Sequence, residues 1–87
     1  MKISNKNARH YVETRQIFQG SNCFSEQRGS MYVVFSYGRH WPMFICKNGK
    51  WYENGSKYSV TTSRQHSQLR PSAEMEVLSH QEMLNLI

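Results

Sequence analysis

The sequence is poor in the residues that would name a chemistry. It has two cysteines, Cys23 and Cys46, far apart and in no C-x-x-C pair, which excludes the usual spacing of a structural zinc motif. Its acids are few, and the three before residue 73 (Glu13, Glu26 and Glu53) are scattered. No nucleophile elbow and no orienting acid accompany its histidines. His10, His40, His66 and His80 also lack ligand spacing. No catalytic residue, metal site or cofactor is therefore read from the chain. No apolar run approaches a membrane span. The Met1–Asn5 start has no apolar run behind it, so no signal peptide is expected. These absences predict a cytosolic protein with free thiols that is not an enzyme, while a bond between the two cysteines stays open.

What is present is a short chain with uneven charge. Eighty-seven residues make one small domain, 1–87, with a thin core. An apolar share of 38% with 13% aromatics supports a folded protein. The formal charge is +5. All eleven lysines and arginines precede residue 73, against three glutamates, so this body carries +8. The rest holds Glu74, Glu76 and Glu82 and no Lys or Arg, a tail of −3. A basic body attracts anionic partners and speeds encounter with them. The sequence leaves open whether the tail folds back onto that body.

Residues 6–18 show a helical rhythm: Ala8, Tyr11, Val12 and Arg15 fall at i, i+3, i+4 and i+7, with Phe18 beyond. Asn5 is the expected N-cap, and the Gly20–Asn22 run the expected stop. Residues 20–30 read as a polar connection. The span 31–60 reads as an antiparallel meander with strands at Tyr32–Tyr37, Met43–Cys46, Lys50–Glu53 and Lys57–Val60. Asn48-Gly49 and Asn54-Gly55 are expected to be type I′ turns. Residues 61–87 read as helical, with a stop at Arg70-Pro71 and a last helix near 73–86. Ser79 with Glu82 is an alternative capping box that would split this last helix. The expected fold is α+β: an N-terminal helix packed on a three- to four-stranded antiparallel meander, with one or two short C-terminal helices.

Three groups of residues are candidates for binding. Thr61, Thr62 and Ser63 at a helix start would offer hydroxyls and backbone N–H groups to a phosphate, with Arg64 and His66 closing on it. Plain capping of a solvated helix is the competing reading. Arg39, His40 and Trp41 form a loop able to stack on a base or clamp an acidic segment, unless Trp41 is core. Lys47 and Lys50 flank the Asn48-Gly49 turn and make a basic hairpin tip, with Lys57 and Arg64 nearby in sequence. Lysines there also protect strand edges from aggregation. A site built of Tyr37, His40, Ser63 and His66 is the residual enzymatic reading.

Two runs carry a resemblance. One is Ser36, Tyr37, Gly38, His40, Trp41 and Pro42, the pattern S-Y-G-x-H-W-P; the other is Lys57, Tyr58, Ser59, Thr61, Thr62 and Ser63, the pattern K-Y-S-x-T-T-S. With Asn7–Val12 and Phe18–Asn22, they resemble a family of small uncharacterised proteins of phages and other mobile elements, over residues 7–71. In that pattern a histidine directly follows the cation after T-T-S; here Gln65 stands there and His66 comes next. The resemblance implies a genomic setting, not a mechanism. Small proteins of that setting commonly act by stoichiometric binding, inhibitors of host defence such as anti-CRISPR proteins among them. The expectation is a non-catalytic inhibitor in the host cytoplasm that occludes a nucleic-acid or nucleoprotein site of a host defence complex. The alternative is a small DNA- or RNA-binding accessory protein.

Overall fold

A computed structural model describes residues 2–3, 5–20, 23–36, 38, 41–56, 69–71 and 73–87. Among them the chain forms seven strands and two helices. In order they are β1 (Lys2–Ile3), α1 (Asn5–Glu13), β2 (Gln19–Gly20), β3 (Cys23–Arg28), β4 (Met31–Ser36), β5 (Pro42–Lys47), β6 (Lys50–Asn54), β7 (Met75–Leu78) and α2 (His80–Leu86). The strands lie in one sheet in sequence order. Neighbours from β2 to β6 are antiparallel, whereas β1–β2 and β6–β7 are parallel.

This mixed sheet corrects the expected three- to four-stranded meander. Two segments make the difference. Cys23–Arg28 is no connection: it pairs with β4 along its whole length, from Cys23 opposite Ser36 to Arg28 opposite Met31. It reads as polar because it is covered mainly on one face, where Cys23 and Ser25 are buried. Met75–Leu78 is no helix: it lies parallel to β6, Trp51 opposite Met75 through Asn54 opposite Leu78. Its local helix preference gives way to the unpaired backbone of β6, as tertiary context routinely overrides propensity. Only the second half of that span is helical, and there Ser79 and Glu82 do form the capping box. The strand expected at Lys57–Val60 and the helix expected after it lie outside the described residues.

The N-terminal helix also ends earlier than expected, at Glu13 rather than Phe18. Its close is a Schellman ending: Gln16 N–H donates to the Tyr11 carbonyl at 2.8 Å, and Arg15 N–H to the Val12 carbonyl at 3.0 Å. Arg15 takes the left-handed backbone, φ 53°, that this ending needs. The carbonyl of Gln16 then accepts from Tyr32 Oη at 2.7 Å and from Ser25 Oγ at 3.2 Å, pinning the turn to the sheet.

The two helices cover opposite faces. Ala8 and Val12 of α1 pack with Tyr32, Val34, Cys46 and Trp51, joined by Leu69. Met83 of α2 packs with Met31, Val33, Phe35 and Ile45. Every residue of β4 is buried, as is every residue of β5 except Lys47. That double coverage explains why these strands read as continuous apolar runs rather than alternating ones. Each large side chain so buried contributes about 1.5–3 kcal/mol.

Asn48 and Gly49, at φ 54° and 79°, make the expected two-residue turn between β5 and β6. Asn54-Gly55 is not a second one. Asn54 is the last residue of β6 and is buried, and Gly55 N–H donates to the Leu78 carbonyl at 2.8 Å, extending the β6–β7 pairing.

Candidate docking surface at the turn end of the sheet

With both faces of the central strands covered, a partner can reach this sheet at its ends and edges. The register defines one such end. Arg28 lies opposite Met31, Met31 opposite Lys47, and Lys47 opposite Lys50. The Gly29–Ser30 and Asn48–Gly49 turns therefore project from the same end, with cations of three strands beside them. Alternation puts Arg28, Lys47 and Lys50 on the α2 side. On the α1 side Arg15 comes to the same end, lining a cleft with Asn48 and Gly49.

The acidic tail does fold back here. As β7 pairs with β6, Glu76 reaches Lys50 at 3.8 Å. Lys50 also lies 5.3 Å from the centre of the Tyr52 ring. Arg28 pairs with Glu26 at 3.1 Å and stands over the Phe35 ring at 5.3 Å. These exposed pairs are worth little in stability, but they reduce the field of the cations they hold. Arg15 and Lys47 have no carboxylate partner among the described residues. The basic hairpin tip read from the sequence is thus half neutralised: Lys47 remains available and Lys50 is shared with Glu76.

Trp41 is 7% exposed, and its indole stacks on the His80 ring at 4.1 Å and 21°. Its backbone is tied as well, the carbonyl accepting from Ser36 N–H at 3.0 Å. Of the two readings of Trp41, the buried one is observed, and one face of its ring is covered by His80. Arg39, His40, Lys57, Thr61, Thr62, Ser63, Arg64 and His66 lie outside the described residues, as does Tyr37 of the residual catalytic group. The structure thus places Lys47 and Lys50 together and Trp41 at the opposite end.

Two clefts adjoin the turn end. One, of about 430 Å³, is lined by Arg15, Gln27, Ser30, Tyr32 and Asn48 among others, with no carboxylate. The other, of about 900 Å³ along β6 and β7, sets one cation, Lys50, against two carboxylates, Glu74 and Glu76, and so does not favour an anion. Sequence reasoning did not single out Arg15. The available signal was the polar Thr14–Gln16 run, which breaks the apolar rhythm before Phe18. Among the described residues, no three His, Cys, Asp or Glu side chains gather to hold a metal.

Burial pushes the Cys23 thiol up to about 11 from its ordinary 9.0, leaving it a small core residue rather than a nucleophile. Burial likewise pushes the Tyr32 phenol up to about 12 from 10.0, a rise that a hydrogen bond with Ser25 partly offsets. No helix among the described residues is long and apolar enough to cross a membrane. Comparison with protein-family models, with curated proteins and with solved structures found no match for this chain.

Proposed function

We propose that this protein is a non-catalytic, stoichiometric inhibitor of the phage type, which docks on a nucleic-acid-handling host defence complex and occludes its nucleic-acid or nucleoprotein site. One observation carries the reading: Arg15 and Lys47 stand at the same end of a two-face-covered sheet without a carboxylate partner among the described residues. Cations left unneutralised next to a rigid two-residue turn favour an anionic surface and steer its approach. The net charge of +5 and the resemblance of the S-Y-G-x-H-W-P and K-Y-S-x-T-T-S runs to proteins of phages and other mobile elements support the same reading. The expected action is that of an anti-CRISPR-like protein in the host cytoplasm.

The second reading is a small DNA- or RNA-binding accessory protein, favoured by the same unpaired cations. The two separate in one experiment. An inhibitor captures a host complex from lysate and keeps it after nuclease treatment. A direct binder shifts nucleic acid alone in a gel, with affinity falling steeply as salt rises. Capture that survives nuclease but is unchanged by Lys47→Glu would place the docking surface elsewhere.

A further inference from the structure

Arg15 stands where helices ordinarily place glycine. The Schellman ending of α1 demands a left-handed residue, and glycine meets that demand without a Cβ penalty. With an arginine there, the backbone is strained. Strain of this kind clusters at ligand-binding and active sites. Here the side chain lines the 430 Å³ cleft that runs to the Asn48–Gly49 turn. Ser30 and Asn48 line the cleft beside it, and no acidic residue does. Its floor includes Tyr32, whose hydroxyl is already spent on Gln16, and the buried Cys46.

We propose that this cleft holds one phosphate group of a nucleic-acid backbone, with Arg15 giving two parallel hydrogen bonds and Ser30 and Asn48 supplying neutral donors. The inference rests on the second reading above, direct binding of nucleic acid, and names the contact that would carry it. A guanidinium fork with neutral amide and hydroxyl donors is the mixture that proteins use on backbone phosphates. The volume lies within the range of pockets for small molecules, about 300–1,000 Å³. It therefore suits a phosphate with its sugar better than a lone carboxylate. Lys47, beside the same turn but on the other face of the sheet, adds positive potential at this end without lining the cleft.

The test is a titration of isotope-labelled full-length protein with a short oligothymidylate, with inorganic phosphate and with polyglutamate, followed by amide shifts and by anisotropy. Wild type is compared with Arg15→Gly and Arg15→Lys. Arg15→Gly removes the guanidinium and relieves the backbone, so its melting temperature is expected to stay level or rise. Its affinity for oligothymidylate is expected to fall roughly tenfold. The slope of log affinity against log salt should drop by about one. Arg15→Lys, which keeps charge but loses the fork, should recover part of the affinity. Oligothymidylate and phosphate should both shift the amides of Arg15, Asn48 and Gly49. Equal binding by Arg15→Gly overturns the cleft while leaving the docking surface standing. Polyglutamate moving those amides as strongly as oligothymidylate overturns the choice of phosphate. Wild type that binds no oligothymidylate at low salt also overturns the cleft, and the docking surface is then judged separately by host-complex capture with Lys47→Glu.

Discussion

Asn54 donates to His80 in an orientation that two backbone groups leave no freedom to reverse. Its Oδ1 accepts from Ser56 N–H at 2.9 Å, and its Nδ2 donates to the Pro42 carbonyl at 3.0 Å. The remaining Nδ2 hydrogen faces His80 Nδ1 at 3.1 Å, so that nitrogen must carry a lone pair. The His80 ring stacks on Trp41, and its backbone N–H donates to Ser56 Oγ at 3.1 Å. One buried amide thus fastens β5, β6 and the start of α2.

The neutral His80 ring should accordingly show, in its imidazole nitrogen shifts, a bare Nδ1 and a protonated Nε2 in the folded protein. Asn54→Ala should cost about 1–3 kcal/mol for each buried partner it leaves unsatisfied, measured by urea unfolding. An Asn54→Ala protein as stable as wild type would contradict this fastening.

Gly55→Ala should destabilise the parallel pairing. A Cβ at Gly55 would lie 2.5 Å from Val77 Cγ1 and 3.4 Å from the Leu78 carbonyl oxygen. Overpacking of this kind costs about 1–3 kcal/mol. Val77 is 60% exposed, so Val77→Ala should be mild alone and should rescue much of the loss in the double variant. Additive losses in the cycle would show that the two sites do not touch.

Alkaline pH should weaken the fold through Tyr32. Its folded pKa of about 12 lies above the ordinary 10.0, so between those values the native state keeps a proton that the unfolded chain has released. Stability from this group is therefore full below pH 10 and is lost as pH rises to 12. Two units correspond to about 2–3 kcal/mol. Tyr32→Phe should flatten that part of the curve, at the cost of the bond to Gln16.

Cys23 and Cys46 should both be free and slow to alkylate in the native protein, because both are buried. Denaturant should expose them to rapid labelling. Burst labelling of Cys23 without denaturant would contradict its raised pKa and 2% exposure.

Much of the centre was legible from the sequence, for local reasons. Continuous apolar strands and the Asn48-Gly49 turn fix their own backbone: the turn lies where it was read, and β4 and β5 begin one residue before the expected Tyr32 and Met43. The outer strands were hidden because they answer to non-local pairing. Cys23–Arg28 alternates weakly, and Met75–Leu78 carries a helical composition that the edge of β6 overrides. Asn54-Gly55 looked like the other Asn-Gly pair, yet its amide serves Pro42, Ser56 and His80 instead of a turn. The basic hairpin tip could be read from Lys47 and Lys50. Arg15 was missed, since an apolar rhythm running on to Phe18 hid the helix end that puts it in the left-handed region.

The most direct test of the account is capture from host lysate, after nuclease treatment, with wild type, Lys47→Glu and Arg9→Glu. Arg9 already pairs with Glu13 at 3.9 Å on the exposed side of α1, so its variant makes the same charge change away from the turn end. The account predicts a nucleic-acid-handling host complex retained by wild type and Arg9→Glu and lost with Lys47→Glu. Equal retention by all three, or equal loss in both variants, would contradict a docking surface centred on the turn end.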